Sequence, residues 1–279
     1  MIEHALLEAQ RGADVPLDED HVDEASALLA SRGWCVVPGA LPPKLVARVR
    51  EQMAPAAARR QAIRARNGVE GHNDGTLHHL VADHPAFLEV IDHLARFEPL
   101  FTRFFGGRCV LNSYGGVINV RDTRAYVHAV HRDIRFGSQD RRFMLNLLLM
   151  LDPFTADNGA TYLLSGSHRQ NNKPDDSHFQ AHAERATGSA GSMLFFDSRL
   201  WHAAGDNQTS GPRRALTLTL TPPFFKPQMD YCRLLGEDSV RSMSPLRRQL
   251  LGFNARVPDS LDTYYVPVAE RRYQRGQDE

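Results

Sequence analysis

The sequence predicts a mainly β core flanked by helices. Three features carry that expectation. From residue 108 onward, short apolar segments recur between Gly, Pro, Asp and Asn residues, as strands joined by turns do. Within them "ALTLTLT" (215–221) alternates apolar residues with threonine, the period of a strand whose two faces meet different surroundings. Before residue 108 the chain carries helix punctuation instead.

In chain order, "LDEDHVDEASALLASRG" (17–33) has acids at its start and glycine after its end, which frames a helix. "WCVVPG" (34–39) is a short apolar run closed by Pro-Gly, and predicts a strand. "LPPKLVARVREQM" (41–53) restarts a helix with proline near its first turn, where proline is tolerated. "APAAARRQAIRARNG" (54–68) reads as a solvated helix face, with Arg59, Arg60, Arg64 and Arg66 as an alternative phosphate-binding patch. "NGVEGHNDGT" (67–76) is a loop, and His78 and His79 after it read as solvated or as part of a lid. "HPAFLEVIDHLARFEPLFTRFFGG" (84–107) gives one or two helices.

Strands are then expected in "RCVLNSYGGVINV", "AYVHAVHRD", "FMLNLLLML", "TYLLSG", "GSMLFFD" and "RALTLTLTPPF", before a return to helix near "SPLRRQLLG". "FMLNLLLML" is apolar almost throughout, as a strand buried on both faces would be. The whole reads as one domain over 1–279: a mainly helical layer (1–107), a β core (108–225) and a C-terminal helical segment (226–279).

Lys+Arg and Asp+Glu are both 33, and a zero balance argues against a nucleic-acid binder, which usually carries a basic excess. No apolar run approaches a membrane span. Three scattered cysteines, Cys35, Cys109 and Cys232, with no C-x-x-C pair, fit free thiols in a reducing cytoplasm.

The chemistry concentrates in "HRD" (131–133). On a strand, residues two apart share a face, so His131 and Asp133 reach a common metal. By the same rule His128, three residues before His131, points away. A third ligand is His202 in "FFDSRLWHAAGDN". Two histidines and one carboxylate with open positions suit non-haem Fe(II), and also catalytic zinc, which keeps a zinc-dependent hydrolase as the alternative from another class. Arg213, eleven residues after His202 (213 − 202), favours iron. Its planar fork binds a carboxylate bidentately, as an oxygenase needs for the distal carboxylate of 2-oxoglutarate, whereas a zinc hydrolase leaves it without a task.

These residues resemble the phytanoyl-CoA dioxygenase-like family of Fe(II)/2-oxoglutarate-dependent oxygenases, in its ectoine-hydroxylase-like branch. The similarity runs through "RGWCVVPGALPPKLVARVR", "HRD", "LDPFTADNGATYLLSGSH" and "GSMLFFDSRLWHAAGDN", with Ser165 where proline is usual. The resemblance implies a double-stranded β-helix, the jelly roll, with Fe(II) on His131, Asp133 and His202 and with 2-oxoglutarate and O2 as cosubstrates. It also implies 2-oxoglutarate contacts at Asn119 and Asn146 beside Arg213. A polar amide inside an apolar strand needs a partner, which supports a role for Asn146; a bond to neighbouring backbone is the alternative. Phe136 and Trp201 are candidate substrate contacts, with core packing as the alternative for each. Asn158 and Gly159 read as a turn and Arg214 as a surface or strand-exit neighbour of Arg213.

The expected reaction is hydroxylation of a small metabolite or natural-product intermediate, releasing succinate and CO2. Halogenating relatives lack the carboxylate ligand, and Asp133 is present. Desaturation, cyclisation or epimerisation on the same iron site, or hydroxylation of an acyl-CoA, stay open.

Overall fold

Asp18 starts the first helix. Its side chain accepts the His21 N–H at 2.9 Å, satisfying a donor of the first turn that has no partner within the helix. Helix α1 (Glu19–Ser31) then buries Val22, Ala25 and Leu29 along one face. The molecule is known from a computed structural model that describes residues 17–69, 75–122, 125–135 and 141–277.

Strand β1 (Trp34–Val37) is buried at every position. The two segments flanking Met53 form one helix, α2 (Pro43–Arg66), with Pro55 inside it. An internal proline removes a helix hydrogen bond; the buried face of Leu45, Val46, Val49, Met53 and Ala56 anchors the helix across that gap. Strand β2 (Thr76–Leu77), α3 (Pro85–His93) and α4 (Glu98–Phe105) follow, the last two separated by a 3-10 turn at Leu94–Phe97. The core strands are β3 (Val110–Asn119), β4 (Leu145–Met150), β5 (Tyr162–Leu163), β6 (Glu184–Arg185), β7 (Met193–Asp197), β8 (His202–Ala203) and β9 (Arg213–Thr221), with α5 (Asp176–His182) before β6. Three short helices, α6 (Tyr231–Leu235), α7 (Pro245–Leu250) and α8 (Leu261–Tyr264), close the described chain.

The strands form a jelly-roll core of two antiparallel sheets. One has the order β1-β7-β4-β9-β3-β2, the other β6-β5-β8. Alternation along β4 and β9 sorts their side chains. Leu145, Leu147 and Leu149, with Leu216, Leu218 and Leu220, join the core that includes the helices. The opposite face carries Asn146, Leu148, Arg213, Thr217 and Thr219, all lining one internal cavity. Thr217 and Thr219 of "ALTLTLT" therefore line a cavity, and β4 is buried on both sides as its composition implies.

The segment 125–133 departs from the expected strand. Tyr126–His128 is a 3-10 turn, and His131 joins β-structure through one isolated bridge to His202. Strand alternation therefore does not govern His128. Arg59 and Arg60 are engaged by Asp83 at 3.1 and 2.5 Å, so these two serve the fold rather than an open phosphate patch. Arg214 is no bare surface residue either: its N–H, Nε and Nη2 all bond Asp152. Among the described residues no helix is long and apolar enough to cross a membrane.

Candidate metal centre

The three residues expected to hold a metal converge. One ligand-capable atom from each of His131, Asp133 and His202 lies within 4.8 Å of the others. The backbone sets this up: His131 and His202 exchange both N–H···O bonds, at 3.0 and 2.9 Å, and the Asp133 N–H donates to Ser198 O at 2.9 Å. Both imidazoles are oriented alike. His131 Nδ1 lies 2.8 Å from Ala129 O, and His202 Nδ1 lies 2.9 Å from Leu200 O. A backbone carbonyl accepts only a proton, so each ring carries hydrogen on Nδ1 and offers the Nε2 lone pair. Such outer bonds fix tautomer and direction in metal-ligating histidines. The Nε2 atoms lie 3.6 and 3.9 Å from the Asp133 carboxylate oxygens. Burial, chiefly, holds His202 below the ordinary histidine value, with Asp133 pulling the other way and His131 adding to the lowering; a neutral imidazole is what a metal requires. Two lone pairs and a carboxylate aimed at one point fit a divalent cation.

The Asn146 amide donates to Asp133 Oδ2 at 2.7 Å. Its observed partner is thus the Asp133 carboxylate rather than neighbouring backbone, and its Oδ1 is buried without a partner among the described residues.

Along the same cavity of about 320 Å³, Arg213 is 2% exposed. Its Nη2 donates to Gly159 O at 3.0 Å, its guanidinium sits 4.4 Å from the Phe154 ring centre, and its Nε is buried without a partner among the described residues. Burial lowers its pKa to about 10, against the pull of Asp152, so it stays charged at neutral pH. The acid that pulls on it is committed elsewhere: Asp152 takes its bonds from Arg214. A buried cation without a paired carboxylate is costly, and a carboxylate in the cavity would relieve it.

Asn119 is the register partner of Arg213 at the end of the β3–β9 ladder. Its Nδ2 donates to Gly205 O at 2.9 Å, its backbone carbonyl accepts from Asn207 at 2.9 Å, and its Oδ1 is buried without a partner among the described residues. Gly159 must be glycine here. At φ +85°, a Cβ would stand 2.4 Å from Gly205 O and 2.7 Å from Asn119 Nδ2. Asn207 and the cavity-lining Thr161, both buried, were not singled out from the sequence; the polar "GDN" following His202 is the only signal for the former.

Trp201 is placed away from the cavity. It packs with Leu164, Phe179 and Ala203, and Arg132 lies over its ring at 5.2 Å. Adjacent residues on an extended segment face opposite ways, so His202 facing the cavity turns Trp201 out; core packing, not substrate contact, describes it. Phe136 lies outside the described residues. His128 lines the cavity but is no member of the converging set; its Nδ1 accepts the Ala125 N–H at 3.0 Å.

A family model described as phytanoyl-CoA dioxygenase (PhyH) matches residues 29–215. The uncharacterized protein Rv1501 of Mycobacterium tuberculosis is 40% identical over 152 residues, 54% of this chain and 56% of its own length. The chain thus matches little more than half of that relative. Dioxygenase cdmD of Talaromyces verruculosus is 33% identical over 134 residues, 48% of this chain and 42% of its own. Among solved structures, the epimerase SnoN in complex with Fe3+, alpha ketoglutarate and nogalamycin RO superposes with TM-score 0.58 at 18% identity, covering 75% of this chain and 88% of that one. At that identity the likeness is one of fold.

Proposed function

Because the chain belongs to the phytanoyl-CoA dioxygenase family, we propose that it is a non-haem Fe(II)- and 2-oxoglutarate-dependent dioxygenase that hydroxylates a C–H bond of a small metabolite. O2 is the second cosubstrate, and succinate and CO2 are released. One observation carries the reading: a converging His-Asp-His set and a buried, uncompensated arginine line the same cavity. A catalytic zinc site would suit the first and leave the second without a counter-charge.

In this reading His131, Asp133 and His202 hold Fe(II), and Arg213 receives the distal carboxylate of 2-oxoglutarate. Bound together they supply O2 activation coupled to oxidative decarboxylation of the keto acid. The chain's own residues do the rest. Ala129 and Leu200 carbonyls keep both Nε2 lone pairs turned inward. Asn146 aims the Asp133 carboxylate by donating to it. Phe154 and Gly159 hold the Arg213 fork flat at its end of the cavity, and Asn119 braces the neighbouring strand end. The apolar wall of Leu148, Phe196 and Val117 limits water around the reacting C–H bond.

Epimerisation on the same site is the second reading, favoured by the fold likeness to the SnoN epimerase. We place the protein in the cytoplasm; its three cysteines, buried and free, support a reducing compartment.

The test is anaerobic titration with Fe(II) and 2-oxoglutarate. A weak visible charge-transfer band requiring both is expected, together with succinate release on admitting O2. Metal-dependent hydrolysis with zinc, and no band with iron, would overturn the reading.

A further inference from the structure

Part of the cavity wall is the loop after β2, and that loop is built around a strained histidine. His79 sits at φ 55°, ψ 66°, a left-handed conformation disfavoured for any residue with a Cβ. Such strain persists only where the surroundings over-determine it, and it clusters at functional sites. Here the surroundings are explicit. From α2, Arg60 donates to His78 O from Nε and Nη2 at 2.7 and 2.5 Å, and Nη2 reaches His79 O at 2.9 Å. Its Nη1 pairs with Asp83 at 2.5 Å.

The ring is fixed as firmly as the backbone. His79 Nδ1 lies 3.3 Å from the hydroxyl of buried Tyr231. Among the described residues that nitrogen is the hydroxyl's one hydrogen-bond partner, so the buried hydroxyl, which needs an acceptor, directs its proton to Nδ1. Nδ1 is then the acceptor, and Nε2 carries hydrogen. Burial, with His78 and Arg60 nearby, holds the ring below the ordinary histidine value, so it is neutral. Nε2 has no protein partner among the described residues, and His79 lines the cavity. The same cavity is lined by Ser113 and Thr219, facing strand residues whose hydroxyls lie 2.8 Å apart, and by Thr217 and Gln228. All are neutral donors and acceptors.

We propose that His79 is a specificity-determining residue whose Nε2–H donates to an uncharged oxygen of the substrate, a carbonyl, ether or hydroxyl, within a site built for an oxygenated neutral molecule. The inference rests on the oxygenase reading for its kinetic test and is independent of it for its spectroscopic one.

Two variants separate the ring's hydrogen bond from its fold role. His79→Gly removes the donor and suits the left-handed backbone; His79→Gln keeps an N–H donor. The iron- and 2-oxoglutarate-loaded enzyme is given a steroid ketone, a macrolactone and a methyl glycoside, and separately palmitoyl-CoA and a free amino acid, and succinate release is followed. At least one uncharged compound is expected to stimulate release. For that compound His79→Gly should raise KM at least tenfold with kcat little changed, and His79→Gln should recover most of the loss. No stimulation by any uncharged compound, stimulation by the charged ones alone, or an unchanged KM in His79→Gly overturns the inference. In histidine-labelled protein, nitrogen NMR should show the Nε2–H tautomer for His79; the Nδ1–H tautomer overturns it. Absence of the charge-transfer band in the wild type would strike the oxygenase reading instead, and the tautomer measurement would still decide this one.

Discussion

Asn146 donates to the Asp133 carboxylate at 2.7 Å from the face of β4 that looks into the cavity. The strand holds the amide rigidly, with Phe196 and Thr219 as its neighbours in register, whereas Asp133 sits on an irregular segment. The ordered element thus aims the disordered-looking one. Asn146→Leu keeps the volume and removes the bond. Outer-shell bonds of this kind are worth roughly 10- to 100-fold in metal affinity, and that loss is expected in an anaerobic Fe(II) titration. Unchanged affinity would remove Asn146 from the metal site.

Arg213 is expected to act on the cosubstrate and not on the metal. Losing a charge-assisted contact costs roughly 1.5–3 kcal/mol, so Arg213→Ala should weaken 2-oxoglutarate binding about 10- to 100-fold while Fe(II) affinity stays near the wild-type value. Arg213→Lys restores charge without the fork and should fall between. Equal 2-oxoglutarate affinity in all three proteins would contradict the assignment.

His128 and His131 lie three residues apart but differ in task. His131→Ala leaves two ligands and should abolish coupled turnover together with most of the iron binding. His128→Ala loses the bond to the Ala125 N–H, about 1 kcal/mol of stability, and should keep the metal. Fe(II) binding and melting temperature, measured side by side, separate the two; comparable iron loss in both would place His128 among the ligands.

Acid should destabilise the metal-free protein well above the carboxylate range. His202, His79 and His168 are all held below the histidine value of 6.5, each first by burial. The unfolded chain therefore takes up these protons first as the pH falls. Their contribution is complete above about pH 6.5 and disappears as the pH drops through the lowered folded values. The melting temperature of chelator-treated protein should fall between pH 7.5 and 5, and His168→Gln, which can still donate to Ala30 O, should flatten part of that fall. Asp175 and Asp259 also titrate low, but below 3.8, outside this window. A flat profile would contradict the burial of these rings.

The long strands were legible because each carries enough residues to display its pattern: β3, β4 and β9 run 10, 6 and 9 residues. The strands β2, β5, β6 and β8 have two residues each, too few for any periodicity, and exist only because a neighbouring chain supplies their bonds. The stretch around His128 is a short apolar segment like its strand neighbours yet turns as a 3-10 helix, since local bonds at Ala125 compete with sheet pairing. The set His131, Asp133, His202, Arg213 was visible along the chain; the bonds that orient its members were not, because they come from partners such as the Ser198 and Leu200 carbonyls that no residue type announces. His79 looked solvated for the same reason: Arg60 and Tyr231 reach it from 19 and 152 positions away.

The reciprocal backbone bonds between His131 and His202 span 71 residues of chain (202 − 131). During synthesis the first of these histidines emerges long before its counterpart, and a nascent chain ending anywhere before residue 202 has no closed coordination site. Joining them also means closing a long loop, which happens slowly in β-rich topologies. Metal loading should accordingly be a late event, following the docking of β8 rather than nucleating the fold. Apoprotein should then reach its native secondary structure at full rate in the presence of a chelator, and accept iron only afterwards.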